Sequence, residues 1–280
     1  MNKNQKQQWS LEQWIAYLKD KDPPVLQKSR EIFQSLKAQG EDAPEFSPKA
    51  LTVFVNDDPY LAVKLLREAE RHRSRHLGKE TTTQLAAILQ IGSDDLYSLI
   101  SESAVVNSEH PGWHRCVSTA ITASGLARAW SNFRSDLSPE EISLAALLSE
   151  TGELLLWHFA PELPTRAIEE FESGKANRTG IAQLNTAGFT FRQLTLALAD
   201  EWQLPQMISQ LIKGMDSPRT HIARLAIDCA RHLVQDKSNP ALPSDITNIS
   251  RYLPGVPTEK LVSVLPVSNS QKARILAQIA

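Results

Sequence analysis

Apolar residues recur at helical spacing along most of the 280-residue chain. One of the clearest segments places its apolar positions on a single helical stripe, made of Ile222, Leu225, Ala226, Cys229 and Leu233. Alternating strand patterns bounded by turn residues are hard to find, and segments rich in Val, Thr and aromatic residues are short. The pattern therefore predicts an all-α protein with about a dozen or more helices of ordinary length.

Helix starts are the most specific local signals. Ser138-Pro139-Glu140-Glu141 combines a hydroxyl cap, a proline at the first helical position and a carboxylate three residues after the cap, which is a capping box. Ser10 and Gln13 repeat this box, and Trp9 is placed to pack on Trp14. Three cap-proline pairs predict further starts, at Ser47-Pro48, Asp58-Pro59 and Ser217-Pro218.

Two segments interrupt the helical pattern, one near Val105–Trp113 and one at Lys237–Ser244. Both contain Asn and Pro, which end helices and begin turns. They divide the chain into an N-terminal helical bundle at residues 1–105, a larger bundle at 106–236 and a C-terminal helical appendage at 237–280. We therefore expect two packed helical bundles and a terminal helical segment.

Charge and composition exclude several classes of protein. The chain has 30 basic and 32 acidic side chains, and its net charge of -2 gives no overall attraction to nucleic acid or to an anionic membrane. Its apolar runs are far shorter than the ~20 residues that cross a bilayer, and its polar N-terminus lacks a signal-peptide core. Cys116 and Cys229 fall within helical apolar patterns, as buried free thiols do. We expect a cytoplasmic protein without membrane or nucleic-acid partners.

A basic run at Arg71-His72-Arg73-Ser74-Arg75-His76 is the one cluster that suggests phosphate binding. Arg71, Arg73 and Arg75 would supply the contacts. The ordinary alternative is a solvated helix end, where basic side chains are favoured by the helix dipole. Nearby glutamates dilute the positive field, and no aromatic side chain interleaves the run. A phosphate-binding patch is the less favoured interpretation.

Four segments together resemble the HDOD family, the HD-related output domain of bacterial signal-transduction proteins. Residues 56–70 and 81–100 look like its Asp-Pro-started helix and a later helix that ends in an Ile-Gly corner, with Gly92 as a left-handed cap. Residues 113–130, WHRCVSTAITASGLARAW, and 143–157, SLAALLSETGELLLW, look like its Trp-x-His start and its HD-x-G corner. The resemblance covers roughly residues 20–235 and implies an HD-like C-terminal bundle.

Catalytic HD proteins hold divalent ions with a His, an adjacent His-Asp pair and a later Asp. The resemblance places His114, the pair Ser149-Glu150 and Asp228 at these positions. A serine hydroxyl is a poor replacement for an imidazole ligand, and the extra methylene of Glu150 displaces its oxygens. We therefore expect a degenerate site with no metal, no cofactor and no hydrolase activity.

Two of these residues, His114 and Asp228, have ordinary structural alternatives, and the histidines expected near Asp228 are mostly missing. Gly214, Met215 and Asp216 stand where relatives carry further histidines, and only His221 remains nearby. His221 precedes Asp228 by two helical turns and would share its face. Without a metal, His114 would be a partly buried ring hydrogen-bonded to backbone. Asp228 would be a buried carboxylate bonded to His114 or to a helix terminus.

The sequence therefore favours a non-catalytic regulatory module that acts through a protein partner or a small ligand in a signalling pathway. One alternative is a metal-dependent phosphohydrolase with the ligands His114, Glu150, Asp228 and His221. Another is a nucleotide-binding receptor without turnover, which would use the arginine cluster or the degenerate pocket. Metal analysis, a hydrolysis assay and nucleotide titration separate the three hypotheses.

Overall fold

The computed structural model describes residues 9–38, 47–73 and 80–279, and these are almost entirely helical. The only strands within these ranges are β1 (Val25–Leu26) and β2 (Val105–Val106), which pair in parallel. Val25 is opposite Val105, and Leu26 is opposite Val106. The all-α prediction is confirmed, since each strand contributes only two residues.

The helices are numbered in chain order. The first nine in the described ranges are α1 (Leu11–Leu18), α2 (Gln27–Ala38), α3 (Pro48–Asn56), α4 (Pro59–His72), α5 (Gln84–Ile91), α6 (Ser93–Ser101), α7 (Pro111–Ser131), α8 (Pro139–Leu148) and α9 (Thr151–Phe159). The later ones are α10 (Glu162–Glu172), α11 (Thr179–Ala187), α12 (Phe191–Glu201), α13 (Gln206–Lys213), α14 (Pro218–Gln235), α15 (Leu242–Ser250), α16 (Thr258–Ser263) and α17 (Asn269–Ile279).

The contacts divide the chain into two compact units. The first unit contains the chain up to Val117 together with Leu148–Pro205, and the second contains Ser118–Leu147 together with Gln206–Ala280. Helix α7 belongs to the first unit as far as Val117 and to the second from Ser118 onward. The predicted domain boundaries after residues 105 and 236 divide the sequence into consecutive segments. The two units are defined by contacts instead, and each combines two separate segments, so the predicted boundaries stay a prediction.

Helix α4 forms the centre of the first unit. Tyr60, Leu61 and Leu65 on this helix are each 1% exposed or less. Its N-cap, Asp58, is fully buried and accepts hydrogen bonds from the backbone N–H groups of Tyr60 and Leu61, both at 3.0 Å. The second carboxylate oxygen of Asp58 accepts from the N–H of Leu26 at 2.8 Å. One side chain therefore caps α4 and attaches β1 to it.

The core of the second unit is built around α14 and the C-terminal helices. All five residues of the apolar stripe predicted on α14 are buried. Trp130 of α7 is fully buried beside them, and its indole N–H donates to the carbonyl of Leu261 at 3.2 Å. Ile246 of α15 and Ile275 of α17 belong to the same core. The residues after 236 are therefore an integral part of this unit.

Most predicted helix starts are confirmed. Ser10 and Gln13 form the capping box of α1, and the ring centroids of Trp9 and Trp14 are 4.9 Å apart. Ser47 and Ser217 cap α3 and α14 through their side chains. Helix α8 begins at the predicted proline, residue 139.

The predicted cap at Gly92 is only partly right. Helix α5 does end at Ile91, and the φ of Gly92 is positive at 87°. Its ψ of 164°, however, lies far from the left-handed helical region, so the glycine turns the chain directly into α6. This conformation is open to glycine because it lacks a Cβ.

Hydropathy along the helices gives no candidate for a membrane span. Within the described ranges, every helix is too short or too polar to cross a bilayer.

Candidate functional site

The segment that resembles an HD-x-G corner, residues 149–152, lies in the first unit, where it leads into α9. Gly152 donates its backbone N–H to the hydroxyl of Thr195 at 2.9 Å, and that hydroxyl lies 3.2 Å from the carbonyl of Ser149. A Cβ on Gly152 would lie 2.4 Å from the carbonyl oxygen of Phe191. The corner therefore requires a glycine because α9 and α12 approach at backbone distance.

The start of α7 is fixed by aromatic side chains. Trp113 is 5% exposed and donates its indole N–H to the hydroxyl of Tyr60 at 3.0 Å. Tyr60 in turn donates to the carbonyl of Leu154 at 2.8 Å. Burial raises the pKa of the Tyr60 hydroxyl well above its ordinary value, so the phenol keeps its proton at neutral pH. This chain of bonds connects α4, α7 and α9.

His110 and Gly112 complete this end of α7. The Nδ1 atom of His110 accepts a hydrogen bond from the N–H of Gly112 at 3.1 Å, and the ring lies 4.5 Å from that of Trp157. A Cβ on Gly112 would come within 2.5 Å of the Trp157 ring. The first turn of α7 therefore packs directly on α9.

His114, the first predicted ligand position, lies on the surface. Its side chain is exposed, and its ring meets the edge of Trp113 at 4.9 Å between centroids. The alternative expectation, a partly buried ring hydrogen-bonded to backbone, is wrong. Helix α7 turns positions 113 and 116 toward the core, and residue 114 falls outside this buried stripe.

Asp228 and His221 lie in the second unit, whereas His114, Ser149 and Glu150 lie in the first. The Asp228 side chain is 44% exposed and pairs with Arg231 at 3.5 Å, so the expectation of a buried carboxylate is wrong. His221 instead pairs with Asp216 at 2.8 Å and stacks on Tyr252 at 4.3 Å. Within the second unit, His221 and Asp228 therefore have different partners.

Glu150 belongs to a group of metal-ligand side chains that the sequence did not reveal. The sulfur of Cys116 and one carboxylate oxygen each from Glu150 and Glu153 all lie within 4.8 Å of one another. Within the described ranges, this is the only group of three His, Cys, Asp or Glu side chains that approach so closely. The indole N–H of Trp157 donates to Glu153 at 3.2 Å and orients its carboxylate.

Sequence reasoning missed two members of this group for different reasons. The apolar helical pattern around Cys116 predicts a small buried hydrophobe, and the side chain is indeed buried and forms no disulfide. Glu153 stands outside the positions that the HD motif marks. The available signal was its spacing from Glu150, since side chains three residues apart at a helix start share one face.

The predicted arginine patch is only partly described. Arg71 pairs with Glu68 and Arg73 with Glu70, both at 3.1 Å, and Arg75 lies outside the described residues. Arg71 also lines a polar cavity of about 380 Å³ in the first unit. Four basic side chains in this cavity face four acidic ones: Lys21, Lys64, Arg67, Arg71, Asp20, Asp22, Glu68 and Glu102. This balance weakens the case for an anion site.

A predominantly helical first unit with a glycine-dependent corner at the start of α9 is the architecture expected of an HD-related helical protein. The sequence matches the HDOD domain over residues 26–218. The chain therefore belongs to the HDOD domain family, as the resemblance predicted. No curated protein shows significant similarity to it.

Two bacterial proteins of known structure have the same fold and are remote in sequence. A virulence factor of Campylobacter jejuni has 14% identity and a TM-score of 0.72, with 94% of this chain and 98% of that chain covered. The MmoQ response regulator of Methylococcus capsulatus has 18% identity and a TM-score of 0.63, with 85% and 100% covered. At such identities, these similarities establish the fold alone.

Proposed function

We propose that this chain is a non-catalytic module of bacterial signal transduction that binds a protein partner or a small ligand. The observation that carries the proposal is Ser149, which stands where the HD motif has its metal-binding histidine. A neutral hydroxyl is a poor ligand for the divalent ions that HD hydrolases use. The proposal also places the protein in the cytoplasm, where buried thiols such as Cys116 stay reduced.

The surroundings of the other motif positions support this proposal. His114 is exposed, and Asp228 is half-exposed and paired with Arg231. Metal-activated hydrolysis requires ligands that are held in a fixed geometry by their neighbours. Residues with these surroundings are poorly suited to hold a catalytic ion.

Exposed apolar side chains on α3 and α5 support a protein partner. These two helices pack on each other in the first unit. Val53 on α3 is 57% exposed, and Leu89 on α5 is 64% exposed. Leu85 lies one turn before Leu89 and is 36% exposed. Large apolar side chains on neighbouring helices are typical of protein-binding surfaces.

The catalytic question is tested with the purified full chain and a panel of phosphomonoesters, phosphodiesters and cyclic nucleotides. Each assay contains Mg²⁺, Mn²⁺, Fe²⁺ or Zn²⁺. We expect no turnover above the rate measured without protein. Metal-dependent hydrolysis that Asp228→Ala abolishes, and that Asp236→Ala at the end of the same helix retains, would overturn the proposal.

The partner is sought by affinity purification of the tagged chain from its native host. We expect a stoichiometric protein that Leu89→Arg releases and that Leu184→Arg retains, because Leu184 is similarly exposed at 47% but lies on α11. Equal retention by both variants would contradict the surface on α3 and α5. Calorimetry with nucleotides tests the receptor alternative, which requires binding that Arg71→Ala or Arg73→Ala weakens.

A further inference from the structure

We propose that Cys116, Glu150 and Glu153 form a three-ligand site for a thiophilic divalent cation of the Zn²⁺ type. The site shares only Glu150 with the positions that the HD motif marks. It would bind its ion without the histidine of the His-Asp pair, because Ser149 occupies that position in this chain. The inference goes beyond the proposed signalling function and does not depend on it.

The distances fit a tetrahedral ion. Bonds of about 2.0–2.3 Å around Zn²⁺ place neighbouring ligand atoms roughly 3.3–3.8 Å apart. The three ligand atoms here lie within 4.8 Å of one another. Side-chain movements of about 1 Å therefore bring them to a shared centre.

The donor set selects the ion. A cysteine thiolate prefers Zn²⁺ and other soft or borderline ions, whereas Mg²⁺ and Ca²⁺ require oxygen ligands. Two carboxylates close to a thiol also repel one another, and a divalent cation relieves this repulsion. The combination therefore favours Zn²⁺ over the ions that most phosphohydrolases use.

Neighbouring contacts fix the ligands before an ion binds. Glu150 and Glu153 lie at the corner that Thr195 and Gly152 close by hydrogen bonds, and Trp157 holds one oxygen of Glu153. Cys116 follows Trp113 by one turn on α7, and the indole of Trp113 is anchored on Tyr60. Such support is what a binding site needs to keep its geometry.

The charge of the site explains how it can bind a metal without hydrolysis. One thiolate and two carboxylates around Zn²⁺ leave a net charge of about −1. This negative charge disfavours ionisation of a water in the fourth position, because hydroxide would add a second negative charge. We therefore assign the ion a structural or regulatory role, with the fourth position open to a water or to a partner's donor atom.

The test uses the full chain stripped of metal and titrated with Zn²⁺ by calorimetry. A parallel titration with Co²⁺ follows the near-ultraviolet band that reports a cobalt–thiolate bond. We expect one equivalent of either ion to bind, and excess Mg²⁺ to leave this binding unchanged. Absence of Zn²⁺ binding by the folded chain would refute the site.

Variants assign the ligands. Cys116→Ser should abolish the cobalt–thiolate band, and Cys229→Ser, at the other buried cysteine, should retain it. Glu153→Gln keeps the side-chain shape and should weaken Zn²⁺ binding at least about tenfold. Trp157→Phe should weaken Zn²⁺ binding about 10- to 100-fold, because it removes the hydrogen bond that orients Glu153. Circular dichroism verifies that each variant is folded. A wild-type band in folded Cys116→Ser would overturn the proposal, whereas only measured turnover would overturn the non-catalytic function.

Discussion

The indole N–H of Trp113 donates to the hydroxyl of Tyr60 at 3.0 Å, between two side chains that are 53 positions apart in the sequence. Both side chains are buried, at 5% and 1% exposure. The same hydroxyl donates to the carbonyl of Leu154, so a single oxygen satisfies one donor and one acceptor in the core of the first unit. Three helices therefore depend on one phenol group.

Replacing Tyr60 with Phe removes this oxygen. The buried Trp113 N–H and the buried Leu154 carbonyl then each lose their hydrogen bond to it. We expect the free energy of unfolding to fall by about 1–3 kcal/mol, as measured by urea denaturation. The control is Tyr97→Phe, at a half-exposed tyrosine whose ring contacts Lys37. Equal effects of the two substitutions would show that the hydrogen bonds of the Tyr60 hydroxyl do not stabilise the fold.

A methyl group at Gly152 should strongly destabilise the corner between α8 and α9. The added Cβ would meet the carbonyl oxygen of Phe191 at 2.4 Å and the backbone nitrogen of Thr195 at 2.8 Å, and neither backbone atom can move aside easily. We expect Gly152→Ala to lower the free energy of unfolding by about 3 kcal/mol, at the upper end of overpacking costs.

Gly125→Ala is the matched control for this substitution. Gly125 is an exposed position within α7, and a Cβ there meets no atom within 4 Å. Alanine is the better helix former, so this variant should gain about 0.5–1 kcal/mol. Equal stability of the two alanine variants would contradict the close approach of the Phe191 carbonyl to Gly152.

The local signals predicted helix boundaries well, because a cap depends on residues within one turn of each other. Ser10, Ser47 and Ser217 cap the helices that the sequence assigned to them. Asp58 was likewise predicted as a cap, but its bond to the N–H of Leu26, 32 positions away, follows only from the packing of β1 on α4. Contacts between residues so far apart cannot be predicted from the local spacing of residue types.

The candidate metal ligands show the same limit. Glu150 and Glu153 are three positions apart, so their shared face was open to prediction. Cys116 joins them only because α7 packs on α9, which requires the folded arrangement. The apolar neighbours of Asp228 on its helix predict a buried carboxylate. In the structure, this carboxylate reaches solvent and pairs with Arg231.

Substitutions at Asp58 should separate its capping role from its role as an anchor for β1. Asp58→Asn retains an oxygen for the cap but turns an amide N–H₂ toward the Leu26 N–H, so we expect a loss of about 1–3 kcal/mol. Asp58→Ala removes both oxygens and should cost more. The control, Ser47→Ala at an exposed cap, should cost about 1 kcal/mol by the same urea denaturation. A loss at Asp58→Ala no larger than at Ser47→Ala would contradict the anchoring role.

The buried carboxylate of Asp245 in the second unit should make stability depend on pH. Asp245 is 7% exposed, and Nδ1 of His232 lies 2.7 Å from its carboxylate. Burial raises the pKa of the Asp245 carboxyl, and the hydrogen bond with His232 offsets part of this rise. Because the folded-state pKa exceeds the ordinary value of 3.8, the folded protein binds more protons than the unfolded chain in the interval between the two values.

The stabilising contribution of this carboxyl is therefore fully present below pH 3.8 and is lost as the pH rises through the folded-state pKa. We expect the free energy of unfolding of the wild type, minus that of Asp245→Asn, to increase as the pH is lowered from neutral toward 3.8. Urea denaturation at several pH values measures this difference. Asp216→Asn is the control, since its carboxylate contacts His221 but is 98% exposed, and its difference should change less. A difference for Asp245→Asn that shrinks toward acidic pH would show that the His232 contact outweighs the cost of burial.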